Sequence, residues 1–432
     1  MPKGCHHAAA MAAAQQLSHV YPLGAHLDER GHLRIGGCDT LELAREFGTP
    51  AYVVDESDLR ARARAFTSAF AAQTDDFRLH FASKAFACTA VAQVMAEEGL
   101  GCDVASGGEL TMALKAGFAA EDIELHGNAK TVEELRLALE VGVGTIVVDN
   151  LDEVARLTRL LEERRTTQRV QLRIAPGVSP DTHPSISTGG PNTKFGLNLQ
   201  DAGRALEQLA SSPWVDVEGL HFHIGSQIME LAPFRAALER VTAALGTEFP
   251  VWNLGGGLGV PYAPGEQPPS VEDYAAAKVA MVRDLCGAGK RVVDEPGRAL
   301  TANSTVTLYT VQSVKRNVAT WVGVDGGMSD NLRPMLYGAR YEVEIADRFG
   351  GDTSCTVAGK HCESGDVLIG DALLADPRVG DVLVTPATGA YGFSLANTYN
   401  GQPRAPVVFV GDGDARLVVR RERYEELFSR DV

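Results

Sequence analysis

The chain of 432 residues has no run of about 18 apolar residues, so no segment reads as a membrane-spanning helix. It has no Cys-x-x-Cys pair. Its seven cysteines are odd in number and scattered, which excludes a disulfide framework and a zinc site, leaves no metal implied, and suits a reducing compartment such as the cytoplasm. Positive charge is scarce. Forty Lys and Arg against 56 Asp and Glu leave a net charge of −16, which argues against a nucleic-acid partner, since that needs a basic face. A local arginine cluster or a helix N-terminus can still bind a small anion. The start of the chain lacks the charged head and Leu- or Val-rich run of a secretory signal. Lys3 is the only Lys or Arg in residues 1–18, and that stretch reads as a flexible N-terminal extension. No internal repeat and no low-complexity linker is present.

What is present is a composition of 45% apolar and 22% charged residues, as in soluble globular proteins, on a chain long enough for two cores. From residue 51 to 300 short apolar runs alternate with amphipathic segments. AYVVDE (51–56) comes first. Eight more follow, ending near Lys84, Asp103, His126, Asp149, Arg173, His223, Leu254 and Glu295. Between them lie helical patterns such as residues 132–140 and 151–163. Strands alternating with helices mean a parallel sheet, and eight units in this span predict a (β/α)8 barrel of the TIM type over a doubly wound open sheet. After residue 300 the texture changes to short β-rich runs with Gly, Asp and Pro between them. Residues 301–432 are read as a second, mostly β domain, a sandwich or small barrel. Residues 19–50 read as strand fragments and a short helix packing on that domain.

In such a barrel the active site stands at the C-terminal ends of the strands. The first strand ends in Lys84. A lysine after an apolar strand either snorkels to water or serves as an amine with a lowered pKa that condenses with a carbonyl. The sixth ends in His223 and Ser226. The seventh ends in Gly255, Gly256 and Gly257, which can bring backbone amides close to a phosphate where barrels commonly bind one, or simply form a tight loop. The eighth ends in Glu295, Gly297 and Arg298. A carboxylate beside a pyridine nitrogen keeps that ring protonated and able to accept electrons, and an imidazole such as His223 can stack on it. Glu295 could equally cap a turn. His221 lies on the same strand face as His223, so one of the pair could be purely structural.

The stretches FASKAF (81–86), CDVASGGEL (102–110), HGNAKT (126–131), STGGPNTKFGL (187–197), HFHIGSQ (221–227), NLGGGLG (253–259), DEPGRAL (294–300), DGGMSDNLRPMLYGARY (325–341), CESGD (362–366) and GAYGFSLANTYN (389–400) occur in an order that resembles the fold-type III pyridoxal-phosphate decarboxylases. Within them the chain is similar to the diaminopimelate decarboxylase family from about Leu27 to its end. The resemblance implies pyridoxal 5′-phosphate as cofactor, with Lys84 carrying it. It implies that His223 stacks on the ring, that Ser226, Gly255, Gly256 and Gly257 bind the phosphate, and that Glu295 pairs with the pyridine nitrogen. Gly297 belongs to the same cofactor-binding turn. Arg298 falls at the phosphate and substrate end, and Tyr391 lines the pocket. Arg333 and Tyr337 are implied to hold a substrate carboxylate, Glu363 a substrate ammonium, and Cys362 to be the acid that returns a proton to carbon. Cys362 and Glu363 are implied to reach a neighbouring subunit's site, hence a homodimer with shared active sites.

The implied reaction is the decarboxylation of meso-2,6-diaminopimelate to L-lysine and CO2, the last step of lysine biosynthesis. That substrate carries an ammonium and a carboxylate at each end, so the distal end needs cations and an anion together. Arg298, Arg333 and Tyr337 against Glu363 supply them. A decarboxylase of ornithine, arginine or a carboxylated polyamine has less use for Arg333. A racemase on this fold has arginine where Glu295 stands, and cofactor carriers of this fold lack the β domain. Residues 183–194, rich in Ser, Thr, Gly and Pro, are the candidate for a loop that closes over the site.

Overall fold

The computed structural model describes residues 17–178, 190 and 193–432, so most of the candidate closing loop and of the N-terminal extension lies outside the described residues. Eight parallel strands close into a barrel. In order they are Phe77–Ala82, Gly101–Val104, Ile123–Leu125, Thr145–Val148, Gln168–Arg173, Val215–His221, Val251–Asn253 and Arg291–Asp294. The last pairs back onto the first through Val292 and Phe77. All eight correspond to the apolar runs of the sequence.

The helices between them form for local reasons. Val132–Val141 starts on a capping box, in which the Thr131 hydroxyl accepts from the Glu134 amide while the Glu134 carboxylate accepts from the Thr131 amide. It stops at Gly142, which takes the left-handed conformation. Leu151–Arg164 is capped by Asn150 and buries Val154, Leu157, Leu160 and Leu161, one stripe at helical spacing.

The second domain is a nine-stranded sheet whose spine is Thr305–Arg316. That strand pairs with Thr320–Val324, with Val382–Pro386 and with Ala51–Asp55. Ala51–Asp55, grouped by its place in the chain with the barrel, is therefore a strand of the β sheet, held on its other side by Val407–Gly411. All five of its residues are buried, a pattern that fits the interior of either sheet. One strand, Thr353–Ala358, had no counterpart among the β-rich runs. The N-terminal segment forms a small antiparallel sheet and the helix Thr40–Phe47, and its Leu33, Ile35 and Leu43 pack on Val53, Val306 and Val408 of the large sheet. Among the described residues no helix is long and apolar enough to cross a membrane.

Candidate active site

The strand ends surround a cavity of about 330 Å³ lined by Lys84, His126, Arg173, Phe195, His223, Ser226, Glu295, Arg298, Tyr337 and Tyr391, among others. That size suits a small ligand, for which pockets run from roughly 300 to 1,000 Å³. Lys84 sits in a tight turn directly after the first strand. Half of its side chain opens on the cavity, and its Nζ lies 3.4 Å from Asp103 Oδ2. The Asp103 carboxylate outweighs desolvation and holds the ammonium well above the usual lysine range. The lowered value expected from the sequence is thus reversed, because the second strand ends in an acid right beside the amine.

Glu295 is buried at the floor. It accepts from Asn253 Nδ2 at 2.8 Å and lies 3.1 Å from His126 Nε2 and 3.3 Å from His221 Nε2. Burial alone would push its carboxyl up, but His126 and His221 outweigh that and hold it well below the usual carboxylate range. His126 is the cationic partner. Burial lowers it, yet Asp103 and Glu295 raise it to about 10. His223 goes the other way. Burial, joined by the charges of Lys84 and Arg173, pushes it well below the usual histidine range, so it stands as a neutral imidazole.

The glycine run is shaped by close packing. Gly255 has φ +59°, and a Cβ on it would lie 2.8 Å from both Phe222 O and His223 Nδ1. A Cβ on Gly256 would run into the carbonyl oxygen of Glu295, and one on Gly297 would press on Ala82 Cβ at 3.0 Å. The Gly255 amide donates to Asn253 Oδ1 at 3.0 Å, so it is already engaged. Arg298 donates through Nη2 to Ser226 Oγ at 2.8 Å and through Nη1 to Tyr262 OH at 2.5 Å, with Tyr391 under its guanidinium at 4.9 Å.

Tyr337 lines the cavity, whereas Arg333 does not. Arg333 is buried one layer back, 4.7 Å over the Tyr262 ring and hydrogen-bonded to Tyr341 OH. Its Nε is buried with no hydrogen-bond partner among the described residues. Cys362 and Glu363 are exposed on the β domain and do not line the cavity of their own chain. Their loop is well anchored. The Cys362 amide donates to Asn400 Oδ1 at 2.9 Å, and His361 pairs with Asp366 at 2.7 Å while stacking on Tyr399.

Sequence reasoning did not single out Asp103, His126, Arg173 or Asn253. The signal available was position, because Asp103, His126 and Asn253 fall within quoted motifs and all four stand at barrel strand ends, where buried polar residues need partners.

The family model described as "Pyridoxal-dependent decarboxylase, pyridoxal binding domain" matches residues 56–302. The diaminopimelate decarboxylase of Halalkalibacterium halodurans is 44% identical over 420 residues, covering 93% of this chain and 96% of that one. The chain belongs to the diaminopimelate decarboxylase family. A second member, from Actinosynnema pretiosum subsp. auranticum, is 46% identical over 424 residues, covering 96% and 95% of the two chains. Among solved structures, the diaminopimelate decarboxylase of M. jannaschii in co-complex with L-lysine superposes with a TM-score of 0.89 at 34% identity. It covers 95% of this chain and 98% of that one. The barrel, the β domain and the order of the motifs are thus those of the family, and the cofactor class is pyridoxal-dependent.

Proposed function

We infer that the protein decarboxylates meso-2,6-diaminopimelate to L-lysine and CO2 with pyridoxal 5′-phosphate. The observation that carries the reading is the cavity itself. It gathers a lysine amine, a buried ionised carboxylate, a neutral imidazole and a glycine-lined anion cradle at one barrel rim. The donor set fits the cofactor end to end. Gly256 and Gly257 offer amides, Ser226 a hydroxyl and Arg298 a cation for the phosphate. Glu295 offers an anion for the ring nitrogen, and Lys84 an amine for the aldehyde.

Pyridoxal phosphate, when bound, supplies a carbonyl that condenses with amines and a ring that accepts the electron pair left behind as CO2 departs. The chain's residues prepare that chemistry. Glu295, kept ionised by His126 and His221, holds a proton on the ring nitrogen. His223, kept neutral, covers a ring face without adding a competing charge. Asp103 keeps the proton on the Lys84 amine. Tyr337 and Arg298, backed by the unused Nε donor of Arg333, read the substrate's distal carboxylate. Cys362 of the partner subunit gives one proton to the carbon that lost CO2, and Glu363 of the partner subunit holds the distal ammonium. This division of labour requires a homodimer with shared sites. In balance, one substrate and one proton give one lysine and one CO2. The described cysteines are all free, which supports the cytoplasm as the working compartment.

The test is CO2 release from the protein with pyridoxal phosphate, offered meso-diaminopimelate, L-lysine, L-ornithine and L-arginine in parallel. Release from diaminopimelate alone, with lysine formed, is expected. Release from ornithine or lysine instead would show that Arg298 and Tyr337 do not read a distal carboxylate, and the substrate assignment would fall while the cofactor assignment stood.

A further inference from the structure

We propose that Lys278 is a positioning residue for the phosphate cradle, acting from behind it. Lys278 lies on the helix Val271–Cys286 and its side chain is fully buried, on the same face as Tyr274 and Val282. A buried ammonium is costly unless each of its three N–H groups is used. Here they are spent on backbone and on one acid. The Nζ donates to Gly255 O at 2.7 Å, reaches Leu254 O at 3.4 Å and pairs with the Asp294 carboxylate. Asp294 in turn accepts from Tyr274 OH at 2.9 Å, and the rings of Phe234 and Tyr274 flank the ammonium at 4.5 Å. Lys278 does not line the cavity, so it has no direct part in the chemistry.

Its effect follows from peptide geometry. In a trans peptide the carbonyl of one residue and the N–H of the next point in opposite directions. Drawing the Gly255 carbonyl back toward the helix therefore turns the Gly256 N–H the other way. The preceding peptide is fixed as well, with its carbonyl near the same ammonium and its N–H on Asn253 Oδ1. The buried Lys278 amine thus helps to set two consecutive units of the glycine run before any ligand arrives, joined on the Gly255 carbonyl by the Glu295 amide at 3.4 Å. An apolar residue of similar length would fill the space but leave both carbonyls without this donor.

The proposal rests on the reading that the glycine run holds the cofactor's phosphate, and the experiment separates the two. Wild type, Lys278→Met and the double variant Lys278→Met/Asp294→Asn are titrated with pyridoxal phosphate and with pyridoxal, following the absorbance of the bound aldehyde. The double variant removes both charges together, so no lone carboxylate remains in the core should the single variant fail to fold. Loss of an oriented charge-assisted contact is expected to weaken pyridoxal phosphate binding about tenfold or more in the variants while leaving pyridoxal binding unchanged. A folded double variant that binds pyridoxal phosphate as tightly as wild type, or that loses both ligands equally, overturns the role of Lys278. Equal binding of the two ligands by wild type overturns the phosphate reading itself.

Discussion

Gly255→Ala tests how tightly the cofactor pocket is built. The residue has φ +59°, where an L side chain costs about 1–2 kcal/mol. The added Cβ would stand 2.8 Å from Phe222 O and from His223 Nδ1, and ordinary contact begins at 3.4 Å, so something must move by several tenths of an ångström. The loop cannot retreat freely. Its amide is held by Asn253 at 3.0 Å and its carbonyl by Lys278 at 2.7 Å. Overpacking of this kind costs about 1–3 kcal/mol more. The sum is a loss of about 2–5 kcal/mol in unfolding free energy, with His223 the side chain most easily displaced. Denaturant unfolding gives the stability, and the absorption band of the bound cofactor reports on the His223 face. Gly265→Ala is the control, since nothing lies within 4 Å of its added Cβ. A Gly255→Ala protein within 0.5 kcal/mol (about the scatter of neutral surface changes) and with an unshifted cofactor band would refute the claim that this loop is clamped against His223.

Two further outcomes follow from the site. Because His126 is raised from 6.5 to about 10, its stabilising charge is fully present below 6.5 and is lost as pH climbs through 10. Unfolding free energy of wild type should fall across that window by at most about 1.4 kcal/mol per pH unit from this group, and His126→Asn should flatten the slope. An identical slope in the variant would mean that His126 is not the cation facing Glu295. For the shared site, Lys84→Ala and Cys362→Ala proteins should each turn over slowly alone. After mixing and subunit exchange, half the dimers are mixed and each of those has one intact site, so activity should recover to about a quarter of wild type. No recovery after verified exchange would place Cys362 outside the partner's site.

The barrel was legible because each strand is a short apolar run closed by a polar or glycine-rich turn, and such runs separated by capped helices admit few folds. Ala51–Asp55 was not assignable in this way. Burial on every residue carries no period, so nothing local distinguishes a barrel strand from one flanked by Thr305–Arg316 and Val407–Gly411. Thr353–Ala358 escaped for the opposite reason, since only Cys355 and Val357 are buried among its partly exposed neighbours. In the site, Lys84, His223, Ser226, Glu295, Arg298, Tyr337 and Tyr391 could be read from motifs, but His126 and Arg173, which also line the cavity, could not, and neither could the groups that tune it. The charge states of Lys84 and Glu295 depend on Asp103, His126 and His221, which become neighbours only when the barrel closes. Lys278 lay hidden in a helical pattern as one more charged residue, until packing placed it beneath Gly255.

The pairing of Tyr52 with Val407 also governs how the protein can be made. During synthesis the barrel's strands emerge in order, each beside its neighbour, and can assemble as they appear. The β sheet cannot follow that schedule. One of its interior strands, Ala51–Asp55, leaves the ribosome near the start and waits for a flanking strand that comes near the end, with hydrogen-bonding groups exposed meanwhile along one edge. A chain stopped short of residue 407 would keep that edge open for good. Truncation at the C-terminus should therefore be punished by aggregation far more than the small number of lost residues suggests, and the last strands act as the closing stitch of a fold begun at its other end.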